Sequence, residues 1–253
     1  MAKFPIYIIS KGRAYNPITA KNFIRENIDF FIAVEPQEYD DYCKAVGKKY
    51  VLKLPFKNLG LGSYPARNYC FQHSKKNNFE YHWLFDDNIT NWAKWINGKR
   101  KKWDDINTSL KFVESVTNKH KIDILGFEEP NFVVKAPKKP FKFNCHVYSA
   151  MLIKNNIPYR WRLKYNEDVD LCLQVLHNGG TTASCVYYMA DKVSTAMKMK
   201  GGNQDELYKG NDPKKNLLKA KTLEAAWPQY AKTVIRFNRH HHLVDWKQFK
   251  KNK

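Results

Sequence analysis

The sequence predicts an α/β protein built on a doubly wound, mainly parallel sheet. Short apolar, β-favouring runs alternate with helical patterns over about the first third of the chain, and each run stops at a polar turn. A chain of 253 residues can bury a core large enough for such a sheet. In that architecture ligands gather beyond the carboxyl ends of the strands.

Phe4-Pro5-Ile6-Tyr7-Ile8-Ile9 reads as the first strand, ending in the donor-rich turn Ser10-Lys11-Gly12-Arg13. Ile18 to Glu26 reads as a helix and Phe30 to Val34 as a second buried strand, stopped by Glu35-Pro36. Tyr50 to Leu54 is a third strand, Gly60-Leu61-Gly62 a loop, and Pro65 to Ser74 a helix that opens on Ala66-Arg67-Asn68. Tyr81-His82-Trp83-Leu84-Phe85 then runs straight into Asp86. After Asp105 a helix reaches about Asn118, and Ile122 to Phe127 is a further strand. The Pro- and Lys-rich stretch from Val133 to Val147 reads as a loop or hairpin lining a site. Leu171 to Leu176 has helical spacing and stops at Asn178-Gly179-Gly180. A Gly201-Gly202-Asn203 turn, a polar helix and Arg239-His240-His241-His242 make up the tail.

Lys and Arg number 44 against 24 Asp and Glu, a formal charge of +20. That excess is too large for an ordinary enzyme acting on a small neutral molecule and implies a polyanionic partner. Trp92, Trp95 and Trp103 interleave with the basic run Lys99 to Lys102, a mixture suited to phosphates and bases; the spacing of Trp92 and Trp95 equally fits one packed helical face. The five cysteines lack metal-type pair spacing and read as core thiols in a reducing compartment. With no signal-peptide run and no apolar stretch of membrane length, a cytoplasmic protein is expected.

Two acidic stretches stand out against this basic background. Asp86-Asp87-Asn88 follows a buried strand, where adjacent carboxylates repel unless a cation compensates them. They either hold Mg²⁺ or Mn²⁺ against phosphate oxygens, or form a turn in which Asp87 or Asn88 caps a helix beginning at Ile89. In Asn166-Glu167-Asp168 the acids either cap the following helix or supply a general base, while Asp170 faces solvent or pairs with Arg162. Arg67 and Asn68 open a helix whose first amides suit an anion such as a diphosphate; Arg67 as a structural ion pair is the other reading. Of the three consecutive histidines at most one or two can face inward, and His241 is the candidate metal ligand. There is no Gly-x-Gly-x-x-Gly after the first strand and no Walker-type loop, so a nucleotide would be held another way.

Pro5 to Arg13, Val34-Glu35-Pro36, Arg67-Asn68, Trp83 to Ile89, Asn144 to Ser149, Trp161-Arg162 and Tyr165 to Leu171, in this order, resemble the TET-associated glycosyltransferases, found largely in bacteriophages. The resemblance implies a GT-A-like, Rossmann-like catalytic domain over residues 1–195 with a basic C-terminal extension, 196–253, packed on it. It implies a nucleotide sugar as donor, with UDP as the nucleotide, and a 5-hydroxymethylpyrimidine in DNA as acceptor. Ser10, Lys11, Arg13 and Glu35 would surround the nucleoside, with Arg67 and Asn68 toward the diphosphate, and Asp86 and Asp87 would occupy the Asp-x-Asp metal position, one touching the metal and the other the ribose. Asn88 stands where many such enzymes carry another acid. Asp168, with Glu167 beside it, would be the base. A glycosyltransferase acting on protein or glycan, a metal-dependent nuclease and a non-catalytic DNA-binding protein are the competing readings of the same residues.

Overall fold

A computed structural model describes residues 1–193, 199–202 and 212–250. Its first half runs β1 (Ile6–Ile9), α1 (Ile18–Arg25), β2 (Phe31–Val34), α2 (Tyr39–Val46), β3 (Val51–Lys53), α3 (Tyr64–Lys76) and β4 (Tyr81–Asp86). The chain continues through β5 (Ile89–Ile96), β6 (Lys99–Lys102), α4 (Ile106–Glu114), α5 (Thr117–His120), β7 (Ile124–Glu128), β8 (Phe141–Phe143), β9 (Ala150–Lys154) and α6 (Glu167–His177). It closes with β10 (Thr182–Lys192), α7 (Pro213–Ala226), β11 (Ala231–Arg236) and β12 (Arg239–Val244).

One ten-stranded sheet has the order β3-β2-β1-β4-β9-β7-β10-β5-β6, with β8 beside β10. β1, β2, β3 and β4 are mutually parallel, as are β7 and β10; β9 runs antiparallel between β4 and β7, and β5 antiparallel to β10. Most strands therefore point one way, as the alternating pattern predicts. β11 and β12 form a separate two-stranded hairpin.

The alternation of side chains along β1 builds a core on each face. Ile6 and Ile8 join Phe23 of α1, Tyr42 of α2 and Leu110 of α4 on one side; Tyr7 joins Phe71 of α3 and Val175 of α6 on the other. Fully burying each such side chain stabilises the fold by roughly 1.5–3 kcal/mol. A third cluster joins Val169 and Leu173 of α6 to Leu223, Trp227, Ala231 and Val244, packing α7 and the hairpin on the body of the protein. No helix among the described residues is long and apolar enough to cross a membrane.

The residue after Asn88 begins a strand, so Asp87 and Asn88 cap no helix. Trp92 and Trp95 accordingly lie in β5 and belong to different core clusters, at 3% and 8% exposure. They share no helical face and are closed to nucleic-acid bases. The expected helix from Asp105 splits into α4 and α5, and β9 and β10 occupy stretches where no strand was expected. Asn203 of the expected glycine turn lies outside the described residues.

Candidate active site

The carboxyl ends of β1, β2, β3 and β4 open onto a cleft of about 200 Å³, lined among others by Ser10, Lys11, Glu35, Arg67, Asp86, Asp87 and Glu167. The pairing Ile9↔Asp86 brings the residue after each strand together. Ser10 Oγ donates to Asp87 Oδ2 at 2.5 Å, and Arg13 Nη1 binds Asp87 Oδ1. Asp87 is 5% exposed, and burial pushes its carboxyl upward despite Arg13 and Ser10. The turn is fixed from α1: Thr19 Oγ1 donates to the Asp86 carbonyl and accepts from the Ile89 amide, while Asn22 Nδ2 reaches the carbonyls of Ile89 and Thr90.

At the neighbouring strand end, Glu35 accepts from Lys11 Nζ at 3.2 Å, Gln37 Nε2 at 2.6 Å and the Asn58 amide at 3.0 Å. Burial alone would raise this carboxyl; the three donors outweigh it and leave it lowered. The loop between β1 and α1 is clasped by Gly201 and Gly202. The Gly202 amide donates to the Lys11 carbonyl at 2.6 Å, and Arg13 reaches the carbonyls of Lys200 and Gly201 at 3.3 Å each. A Cβ on Gly201, whose φ is +79°, would lie 2.3 Å from the Gly12 carbonyl oxygen.

Arg67, in the first turn of α3, is buried at the centre of the site. Its Nη2 lies 3.0 Å from Asp86 Oδ1, its Nε 3.3 Å from Glu167 Oε1 and 3.1 Å from Ser63 Oγ, and its guanidinium packs over Trp161. Nη1 is buried with no hydrogen-bond partner among the described residues. Ser63 in turn donates to Glu167 at 2.5 Å. Asn68 points elsewhere, its side chain bonded to the backbone of Trp161.

Glu167 and Asp168 begin α6 after Asn166, whose left-handed backbone (φ +54°) is one that Asn tolerates. Asn166 makes no cap bond; its side chain donates to the Lys219 carbonyl. Asp168 Oδ2 lies 3.1 Å from His146 Nε2, and the His146 ring is stacked between Tyr148 and Trp246. Burial would raise the Asp168 carboxyl, but the close approach of His146, with Arg67 behind, holds it well below the usual range. Burial instead raises Glu167, and Arg67 only partly offsets this. Lys192, at the end of β10, bonds Ser149 Oγ at 2.7 Å and Glu129 at 3.0 Å; burial opposes its charge, but Asp86, Glu129 and Asp168 raise its pKa.

The structure therefore gathers Ser10, Lys11, Glu35, Arg67, Asp86, Asp87 and Glu167 around one cleft, with Arg13 bonded to Asp87 and Asp168 following Glu167 in the chain. Two of the expected metal ligands are engaged with other side chains. Asp87 lines the cleft but accepts on each oxygen, from Ser10 Oγ and from Arg13 Nη1, and is held in that ion pair. His241 sits in the β11–β12 hairpin, where its Nε2 accepts from Arg239 Nε and its nearest charges are cationic. His242 is the histidine that feels Asp168. Asp170 pairs with Arg162 but is fully buried, bonded also to Gln174 and Trp227. Ser63, His146 and Lys192 were not anticipated. His146 falls in the stretch read as lining a site and in the Asn144 to Ser149 block of the resemblance, the two signals that pointed toward it.

Among the described residues no three His, Cys, Asp or Glu side chains come together as a metal cage. Asp86 Oδ2 has no hydrogen bond among the described residues and borders the cleft. One or two carboxylates plus substrate phosphates is a common way of holding Mg²⁺, so Asp86 fits a divalent cation, with Asp87 beside it held in its ion pair with Arg13.

Comparison with known proteins identifies the family. The model of the TET-Associated Glycosyltransferase family matches residues 4–202. Among solved structures, a proposed nucleotide-diphospho-sugar transferase from Desulfovibrio desulfuricans G20 overlaps 67% of this chain and 75% of its own, at 10% identity and a TM-score of 0.35, too slight a likeness to carry an argument. No curated protein matches the chain. With the family's model spanning most of its length, the chain belongs to the TET-associated glycosyltransferases and is a glycosyltransferase.

Proposed function

We propose that this protein transfers a sugar from a UDP-linked donor to the hydroxyl of a 5-hydroxymethylpyrimidine in DNA. The observation that carries the reading is the adjacency of Glu167 and Asp168. Through Glu167 the helix start is tied to Arg67 on the donor side, and through Asp168 it presents an ionised carboxylate beside His146. A hydroxymethyl group is a weak nucleophile until a base takes its proton. Asp168 accepts that proton as the hydroxyl oxygen bonds to the anomeric carbon and the bond from that carbon to the diphosphate breaks. The departing diphosphate takes up the electron pair, and Arg67, through its unpartnered Nη1, and Lys192 stabilise the charge. Lys11 and Glu35 hold the nucleoside end. Mn²⁺ or Mg²⁺ bound at Asp86 would supply further neutralisation of the diphosphate. The +20 charge suits the phosphates around the target base. Incubation of hydroxymethylated duplex DNA with a panel of UDP-sugars, read by nucleoside mass, should show the mass gain of one sugar. A gain on peptide or oligosaccharide acceptors with none on DNA would overturn the DNA reading.

A further inference from the structure

A second, larger hollow of about 720 Å³ lies between the segment after β8 and the turn that follows β12. Lys142 stands on one wall; Lys232, Lys247 and Lys250 stand on the other, and all four are exposed. The one carboxylate in its lining, Asp245, is occupied by the Lys247 amide and Gln248. Asn144 Nδ2 donates to the Phe249 carbonyl at 2.6 Å and ties the two walls together. The groove is a built feature with a strongly positive lining.

Its inner end is His146, which lines the hollow and stands 3.1 Å from Asp168. Trp246, also in the lining, stacks parallel to the His146 ring at 5.9 Å. An anionic backbone lying along the lysines would thus pass beside aromatic faces and arrive next to the carboxylate, along a hollow that shares no lining residue with the nucleotide cleft. Lysines spaced along a groove with aromatic rings at its end suit a phosphate backbone and its bases.

We propose that this groove is where the acceptor DNA strand lies, its phosphates held by Lys142, Lys232, Lys247 and Lys250 and its target base delivered past Trp246 and His146 to Asp168. This rests on the reading of DNA as acceptor and adds the path by which it arrives. The test compares Lys232→Ala/Lys247→Ala with a control pair, Lys75→Ala/Lys76→Ala. The control lysines end α3, just before β4 begins, and lie outside the lining of the groove.

Binding of a fluorescent hydroxymethylated duplex is measured by anisotropy across a salt series, and the KM for DNA and for the nucleotide sugar in turnover. The groove pair should bind about tenfold more weakly, with a salt slope smaller by about two, and show a raised KM for DNA with that for the nucleotide sugar unchanged. The control pair should resemble the parent protein. Equal effects of the two pairs, or none from the groove pair while the parent binds DNA, would overturn the groove and leave DNA as acceptor. A parent protein that binds no DNA would overturn both.

Discussion

His146 Nε2 lies 3.1 Å from Asp168 Oδ2, and flanking rings on both sides fix the imidazole in that position. The carboxylate is thereby kept ionised and oriented where a hydroxyl would arrive. Asp168→Asn removes the proton acceptor while keeping the shape, so turnover should fall about a hundredfold or more with folding intact. Single-turnover rates and circular dichroism on the same samples check it; near-parental turnover would rule out Asp168 as the base.

His146→Gln tests the origin of the low carboxyl pKa. Without the imidazole, burial dominates and the Asp168 value rises, so the acid limb of the kcat against pH profile should move to higher pH. The stability linkage has a definite sign. The folded-state pKa is depressed, so the contribution of Asp168 is fully present above its unfolded value of about 3.9 and is lost as pH falls through the lower folded value. In the variant, that loss should begin at higher pH in acid denaturation.

Arg67 neutralises both Asp86 and Glu167 inside the protein. Arg67→Met leaves those acids without their cation, which costs about 3–5 kcal/mol. For a chain of this size the melting temperature should fall by roughly 6–20 °C. Arg67→Lys keeps the charge but loses the fork; it should melt nearer the parent while the KM for the nucleotide sugar rises.

The two adjacent aspartates should separate in a Mn²⁺ titration with UDP present. Asp86→Asn should weaken the metal by roughly tenfold or more. Asp87→Asn should leave the metal affinity unchanged but lower the melting temperature, because it breaks the buried pair with Arg13. Equal losses of metal affinity would show that Asp87 turns to face the cation.

Gly201→Ala inserts a methyl group into the Gly12 carbonyl at a left-handed backbone position. The clasp over the β1–α1 loop should loosen and the KM for the nucleotide sugar should rise several-fold, as measured by initial rates, with a smaller change in the KM for the acceptor.

The first four parallel strands were legible because each is a short apolar run ending in a turn, and that periodicity survives in the fold. β9 was not: Ala150-Met151-Leu152-Ile153 carries few β-branched residues and becomes a strand by lying between β4 and β7. The residues that line the cleft could be read because several follow strand ends, where sheets of this kind collect ligands. His146 and Lys192 could not, since no local pattern links them to Asp168 or Asp86; the meeting is made by sheet order. The apparent helical pair of tryptophans misled because a spacing of three is compatible with a strand once each face has its own core.

β6 gives the concentration of charge at Lys99 to Lys102 a different meaning. It is the outermost strand of the sheet, and all four of its side chains, Lys99, Arg100, Lys101 and Lys102, are exposed. An outer strand leaves amide and carbonyl groups free to recruit another chain, and a row of like charges repels any copy that approaches to pair. This part of the excess charge insulates the sheet against fibrous self-association and keeps a chain rich in aromatic residues dispersed.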